Sequence, residues 1–202
     1  MAIDLKKGQR IDLTKGQASL KTIKVGLGWD VAKPKGSGGF FKKMFAAAAP
    51  EIDCDASVLL IHKNGKLESK HDVVFFGNLK HSSGSVLHMG DNRTGEGDGD
   101  DEVVMVELAK VPANIHRLVF VVNIYDSAAR NLDFGMIENA FIRIVDNSSN
   151  KELGKFNLTD SYAGKTSLIV GEVYREENDW KFAATGEGTN DASLSEIQRR
   201  YS

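Results

Sequence analysis

Between positions 90 and 102 the chain reads Gly90-Asp91-Asn92-Arg93-Thr94-Gly95-Glu96-Gly97-Asp98-Gly99-Asp100-Asp101-Glu102, then passes directly into the apolar run that starts at Val103. Six carboxylates share this segment with one arginine. Holding so many like charges in an ordered loop is costly by Coulomb's law unless something positive lies among them. A hard divalent cation removes that cost. Calcium takes about six to eight oxygen ligands in flexible geometry, so carboxylates, an Asn amide and carbonyls aimed inward by glycine turns suit it. All three occur here. The segment is not an EF-hand: Asp91 and Glu102 fall at the first and twelfth positions of a twelve-residue window, but Arg93 and Gly95 stand where acids are needed, Glu96 replaces the glycine, and strand-like sequence flanks it.

Two further acidic elements could complete such a site. Asp53-Cys54-Asp55 leads into a strand, where an Asp-x-Asp pair directs both carboxylates to one side. Asp30 closes Gly26-Leu27-Gly28-Trp29-Asp30, read here as a turn. With these the oxygen count suffices for two calcium ions (Ca2+), which is the expectation. The competing explanation is a solvated acidic turn. Interleaved glycines and the abrupt entry into a strand speak against it for the loop, whereas Asp30 alone, or Asp53 and Asp55 alone, are equally well explained by turn or capping roles.

Other chemistries fit less well. There is no Gly-x-Ser-x-Gly, and Cys54 lies between two carboxylates that oppose its ionisation. His62, His71, His81, His88 and His116 lack the short spacings of a zinc site, and most are expected at the surface or in turns. The glycines at 95, 97 and 99 are followed by no lysine and sit among carboxylates, so they make no phosphate loop. The rival reading is a metal-dependent hydrolase or phosphotransferase with Glu96 or Asp101 as base. The expectation is a protein without catalytic activity.

These residues require a scaffold. The chain has 202 residues, of which 41% are hydrophobic and 27% charged, enough for one core and one domain over 1–202. Short β-branched and aromatic runs recur at Ser57–Leu67, Val73–Phe76, Val103–Leu108, Leu118–Tyr125, Ala140–Val145, Leu168–Tyr174 and Trp180–Ala184. Asn64-Gly65 predicts a type I′ hairpin turn. Leu118–Tyr125 is apolar on both faces except at Asn123, as a central strand should be. Ser193-x-x-Glu196, together with Leu194, Ile197 and Tyr201 at helical spacing, predicts a short terminal helix. The fold class expected is all-β: a β-sandwich of two mainly antiparallel sheets with short peripheral helices, one at the C-terminus.

From about 31 to 51 the composition shifts to Lys, Gly and Ala around Phe40-Phe41-Lys42-Lys43-Met44-Phe45, a variable loop. Packing of its phenylalanines onto the sandwich is the favoured expectation, with contact to a partner or a membrane surface as alternatives. The net charge of -2 and the lack of a basic, aromatic-interleaved stripe argue against nucleic acid. A single cysteine fits a reducing compartment, and Met1 to Leu13 has no apolar core for a signal peptide. A cytoplasmic protein is expected, with the inner face of the membrane as a peripheral location.

Taken together, Gly26-Leu27-Gly28-Trp29-Asp30, Asp53-x-Asp55-Ala56-Ser57 and the acidic loop resemble the TerD family of tellurium-resistance and stress-response proteins. Further matches are Phe120-Val121-Val122-x-Ile124-Tyr125-Asp126, Asn139-Ala140-x-Ile142-Arg143, and Gly171-Glu172-x-Tyr174-Arg175 with Trp180-Lys181-Phe182. The resemblance implies a bacterial calcium-binding β-sandwich, associated with tellurite resistance and with other proteins of a stress-response complex. It carries calcium ligation to Asp91, Asn92, Asp98, Asp100 and Glu102, and with them Asp30, Asp53, Asp55 and Asp101. The chain departs from the family pattern in the length of 31–51, in Cys54 where Leu is common, and in Phe75-Phe76-Gly77-Asn78.

Overall fold

A computed structural model describes residues 2–17, 19–32, 52–90 and 99–202. Asp91, Asn92, Asp98 and the Phe40 to Phe45 segment lie outside the described residues. The strands are β1 (Ile3–Leu5), β2 (Arg10–Asp12), β3 (Thr22–Val31), β4 (Cys54–His62), β5 (Val73–Val74), β6 (Val86–His88), β7 (Glu102–Glu107), β8 (Ile115–Ile124), β9 (Ile137–Asp146), β10 (Lys151–Asn157), β11 (Ser167–Glu176) and β12 (Asp179–Thr189). Two short helices accompany them, α1 (Ser127–Arg130) and α2 (Leu194–Arg199).

They form two six-stranded sheets, in the orders β1-β10-β9-β3-β7-β6 and β2-β12-β11-β8-β4-β5. Every ladder is antiparallel except β1 with β10. The expected sandwich with a C-terminal helix is what the chain forms.

Period-two alternation builds the core. Ile23, Val25, Leu27 and Trp29 of β3, Val104 and Val106 of β7, and Ile142 and Ile144 of β9 pack against Cys54, Ala56, Val58 and Leu60 of β4 and Leu118, Phe120 and Val122 of β8. β8 runs between β4 and β11, so its outer face is also covered: Val119 and Val121 pack with Leu59, Ile61 and Ile197 of α2. Ser193 starts that helix by accepting from the Glu196 N–H, while Glu196 returns a bond to the Ala192 N–H.

Two expectations need correction. Gly26 to Asp30 is not a turn but the second half of β3. Its glycines face outward, where other side chains lie flat: a Cβ at Gly26 would stand 2.2 Å from the Asp100 carboxylate, and one at Gly28 would stand 2.4 Å from the Phe141 ring. The Asn64-Gly65 turn is not type I′, because only Gly65 of the two has positive φ. Instead the Asn64 side chain accepts from the Lys66 N–H at 3.0 Å and the His62 N–H donates to the Lys66 carbonyl at 2.9 Å, a closed turn after which the next ladder on β4 is formed by β5.

Candidate metal centre

From Gly99, at φ 119°, the chain enters β7 through three consecutive acids whose side chains part company. Asp100 lies across the outer face of the first sheet, above Gly26. There Arg143 grips it with two bonds, Nε to Oδ1 at 2.6 Å and Nη2 to Oδ2 at 3.0 Å. Lys24 Nζ approaches at 3.9 Å.

Asp101 is used differently. Beyond the Leu27–Glu102 pair the β3–β7 ladder ends, and the Asp101 N–H still reaches the Leu27 carbonyl at 2.8 Å. The next donor on that edge, the Trp29 N–H, is taken by Asp101 Oδ2 at 2.7 Å. Burial raises the Asp101 carboxyl above its ordinary range, and the charges of Asp30 and Asp100 add to that, while the Trp29 N–H opposes it.

Glu102 turns into the end of the sandwich and is 2% exposed. Its Oε2 accepts from the Ala56 N–H at 2.6 Å and lies 3.4 Å from His88 Nε2, so one carboxylate joins the two sheets. Sequence reasoning missed both His88 and Arg143 as partners of the acids.

The remaining acids come from elsewhere in the chain. Asp30 is exposed and accepts from Asn139 Nδ2 at 2.7 Å. Asp53 is half-buried just before β4, and its carbonyl takes the Tyr125 N–H. Asp55 is buried on the outer face of the second sheet, since Cys54 and Ala56 point into the core. The Cys54 thiol feels several of these charges. Burial pushes the thiol well above its usual value, and Asp55, Asp53, Glu102 and Asp101 push it further, in that order. Acids from three separate segments therefore surround one end of the sandwich. Among the described residues no group of three or more His, Cys, Asp or Glu side chains stands ready to hold a metal ion. Asp100 and Asp55 face opposite outer surfaces, with Glu102 between them. Beside Asp30 and Asp101 opens a cleft of about 760 Å³ that also contains Glu138, Asp160, Lys155 and Phe141.

The histidines also depart from expectation. His62, His81 and His88 are buried rather than superficial. Asp72 holds the first two together: its Oδ2 is 3.0 Å from His62 Nε2 and its Oδ1 is 3.5 Å from His81 Nε2. The same carboxylate accepts from the Ser69 N–H at 2.9 Å, completing a capping box on the 3-10 turn Lys70–Asp72. Ser83 closes the network against His81 Nδ1 at 2.7 Å. Spacing alone could not reveal this, because the partners come together only after folding.

Comparison with known proteins agrees with the sequence motifs. The family model for the TerD domain matches residues 1–201. A stress response protein SCP2 of Bacillus subtilis (strain 168) is 59% identical over 201 residues, covering 100% of both chains. The tellurium resistance protein TerD of Serratia marcescens is 40% identical over 188 residues, 93% of this chain and 91% of its own. A solved homologue of telluride resistance protein, SCO6318 of Streptomyces coelicolor A3(2), superposes with a TM-score of 0.62 at 21% identity, covering 88% of this chain and 98% of that one. At that identity the likeness concerns the fold alone. Among the described residues no helix is long and apolar enough to cross a membrane. The full-length family match and these relatives establish that the chain belongs to the TerD-domain family of stress-response and tellurium-resistance proteins.

Proposed function

We propose that this chain is a calcium-binding module of the bacterial chemical-stress response, acting without catalysis. Calcium would order the acidic end of the sandwich and fix a surface that other proteins of a stress-response complex recognise, in the cytoplasm or at the inner face of its membrane. The observation that carries the reading is that Asp53, Asp55, Asp101 and Glu102, from two separate segments, all oppose ionisation of the Cys54 thiol, while Asp30 and Asp100 add charge beside Asp101. Charge of one sign gathered from separate segments is stabilised by a cation that binds only the folded state. Apart from a buried, protonated thiol and His88, which lies against Glu102, the donors are oxygen, which suits calcium rather than a soft metal. Asp101 and Glu102 would hold the ion from the start of β7, Asp30 would join them from β3, and Asp53 and Asp55 from the start of β4 in the second sheet. Asp91, Asn92 and Asp98 would supply the loop ligands, with Asp100 released from Arg143. Two ions are expected.

Calorimetric titration of the chelator-stripped protein with calcium, magnesium and zinc tests this. Two calcium ions bound, weaker magnesium, and loss of heat in an Asp98→Ala, Asp100→Ala double variant are the expected results. A melting temperature indifferent to both calcium and chelator would overturn the reading.

A further inference from the structure

The outer face of the second sheet carries a separate cavity of about 380 Å³. Its floor comes from alternation on two neighbouring strands. Asp55 of β4 lies directly opposite Asn123 of β8, and Ser57 follows two residues along on the same face. Further along this face α2 covers the apolar side chains, but at the Asp55 end it stops. The walls there are Phe75, Phe76, Tyr125, Asp126 and Leu194.

Three features set this cavity apart. First, Ser57 is 1% and Asn123 7% exposed, yet Ser57 Oγ and Asn123 Oδ1 have no hydrogen-bond partner among the described residues. Such orphaned buried atoms are few in folded proteins and call for an explanation. Second, the rim is aromatic: Phe75 and Phe76 meet edge to face at 5.3 Å, and Phe76 and Tyr125 remain 49% and 54% exposed. Asp126 at φ 51° swings the chain out of β8 and leaves Tyr125 at the mouth. Third, Asp55 and Asp126 are acidic and no lysine, arginine or histidine is among the described lining residues.

Unpaired acceptor oxygens in the floor, two carboxylates and an aromatic rim together select a ligand with several donors, positive charge and an apolar body. We infer that this cavity binds a primary organic ammonium, whose head donates to Asn123 Oδ1, Ser57 Oγ and the Asp55 carboxylate while its carbon skeleton lies against Phe75, Phe76 and Tyr125. An anion is repelled by the two acids. A bare metal ion would leave most of the volume and the aromatic surface unused. The inference does not depend on the calcium reading, although Asp55 is shared between them.

The test titrates the full chain with 2-phenylethylamine, with the neutral 2-phenylethanol as control, and follows amide signals by NMR. Both titrations are run with calcium and with chelator. A third arm uses an Nα-acetyl-lysine amide, to separate a free amine from a partner protein's lysine as the natural source. The amine is expected to bind one to one and at least about tenfold more tightly than the alcohol, the scale of a charged hydrogen bond. It should shift the Asn123 side-chain amide signals. Asn123→Leu and Phe76→Ala should each weaken binding by about tenfold. Asn123→Leu removes an orphaned acceptor, so its melting temperature should hold or rise, which separates lost binding from lost folding. Equal binding of alcohol and amine, or amine binding unaffected by Asn123→Leu, overturns the inference. So does one-for-one displacement of the amine by calcium, which would assign the floor to metal. Amine binding that persists in a protein that takes up no calcium would sink the calcium reading alone.

Discussion

Replacing Gly26 by alanine should dismantle an ion pair formed by residues 43 positions apart. The new Cβ would stand 2.2–2.4 Å from the Asp100 carboxylate atoms, and Gly26 has no positive φ, so the conflict is steric only. Asp100 is a short side chain at a strand entrance and can swing aside. What it cannot do is swing aside and keep both bonds to Arg143 at 2.6 and 3.0 Å. The Asp100 side chain is 6% and that of Arg143 29% exposed. Breaking a buried pair costs about 3–5 kcal/mol, and the partial solvation of Arg143 reduces this to about 2–3 kcal/mol. Arg143 also keeps a second partner, Glu152 Oε2 at 3.2 Å. Restricting the unfolded chain returns about 0.4–1 kcal/mol, leaving Gly26→Ala about 2 kcal/mol less stable. For a chain of this size that is roughly 4–8 °C in Tm. Asp100→Ala alone should cost about as much. The double variant has no carboxylate to displace, so it should be no worse than Asp100→Ala. Urea unfolding of the chelator-stripped proteins should therefore give a coupling energy of about 2 kcal/mol. Additivity within about 0.5 kcal/mol would refute the reasoning.

The raised Asp101 carboxyl makes a pH prediction for the calcium-free protein. The folded state holds this proton more tightly than the unfolded chain, so stability falls as pH rises from about 4 through the raised folded value and is level above it. Asp101→Asn keeps an acceptor for the Trp29 N–H and should lack that slope, so parallel pH dependences for the two proteins in urea would contradict the assignment. Cys54, buried and with four carboxylates opposing its ionisation, should resist iodoacetamide at pH 8 until the protein is unfolded; labelling at the rate of a free thiol would show that the site opens. Asp72→Ala removes an acceptor shared by His62, His81 and the Ser69 N–H. A loss of about 3 kcal/mol is expected in thermal melts, and one below about 1 kcal/mol would mean the network contributes little.

Much of the sandwich was legible because its longer strands alternate or run apolar where both faces are covered, as β8 does. What escaped was written in another form. β3 reads as a turn because Gly26 and Gly28 stand where Asp100 and Phe141 must lie flat, and a glycine that makes room for a distant side chain looks locally like a glycine that permits a bend. β1, β2 and β6 have three residues each, too few for a periodicity. At the candidate site the acids were legible as a cluster, but not their separate directions. Arg143, His88 and the Trp29 N–H, which take Asp100, Glu102 and Asp101 in turn, are placed by the ladders rather than by spacing. The buried His62–Asp72–His81 network was hidden for the same reason.

The first two strands have a consequence for how the chain is made. β1 lies at the edge of one sheet and β2 at the edge of the other, on the same side of the sandwich. Ile3 pairs with Gly154 and Ile11 with Phe182, while the Gly8 N–H bonds to the Ala184 carbonyl. During synthesis these segments leave the ribosome early and wait for partners that are translated late. Until then β1 and β2 have nothing to pair with, and the growing sheets end in open hydrogen-bonding edges. Closure of the sandwich is thus timed by its last strand, and an early ribbon that fails to return would leave two adhesive edges at once, a route to pairing with a neighbouring nascent copy.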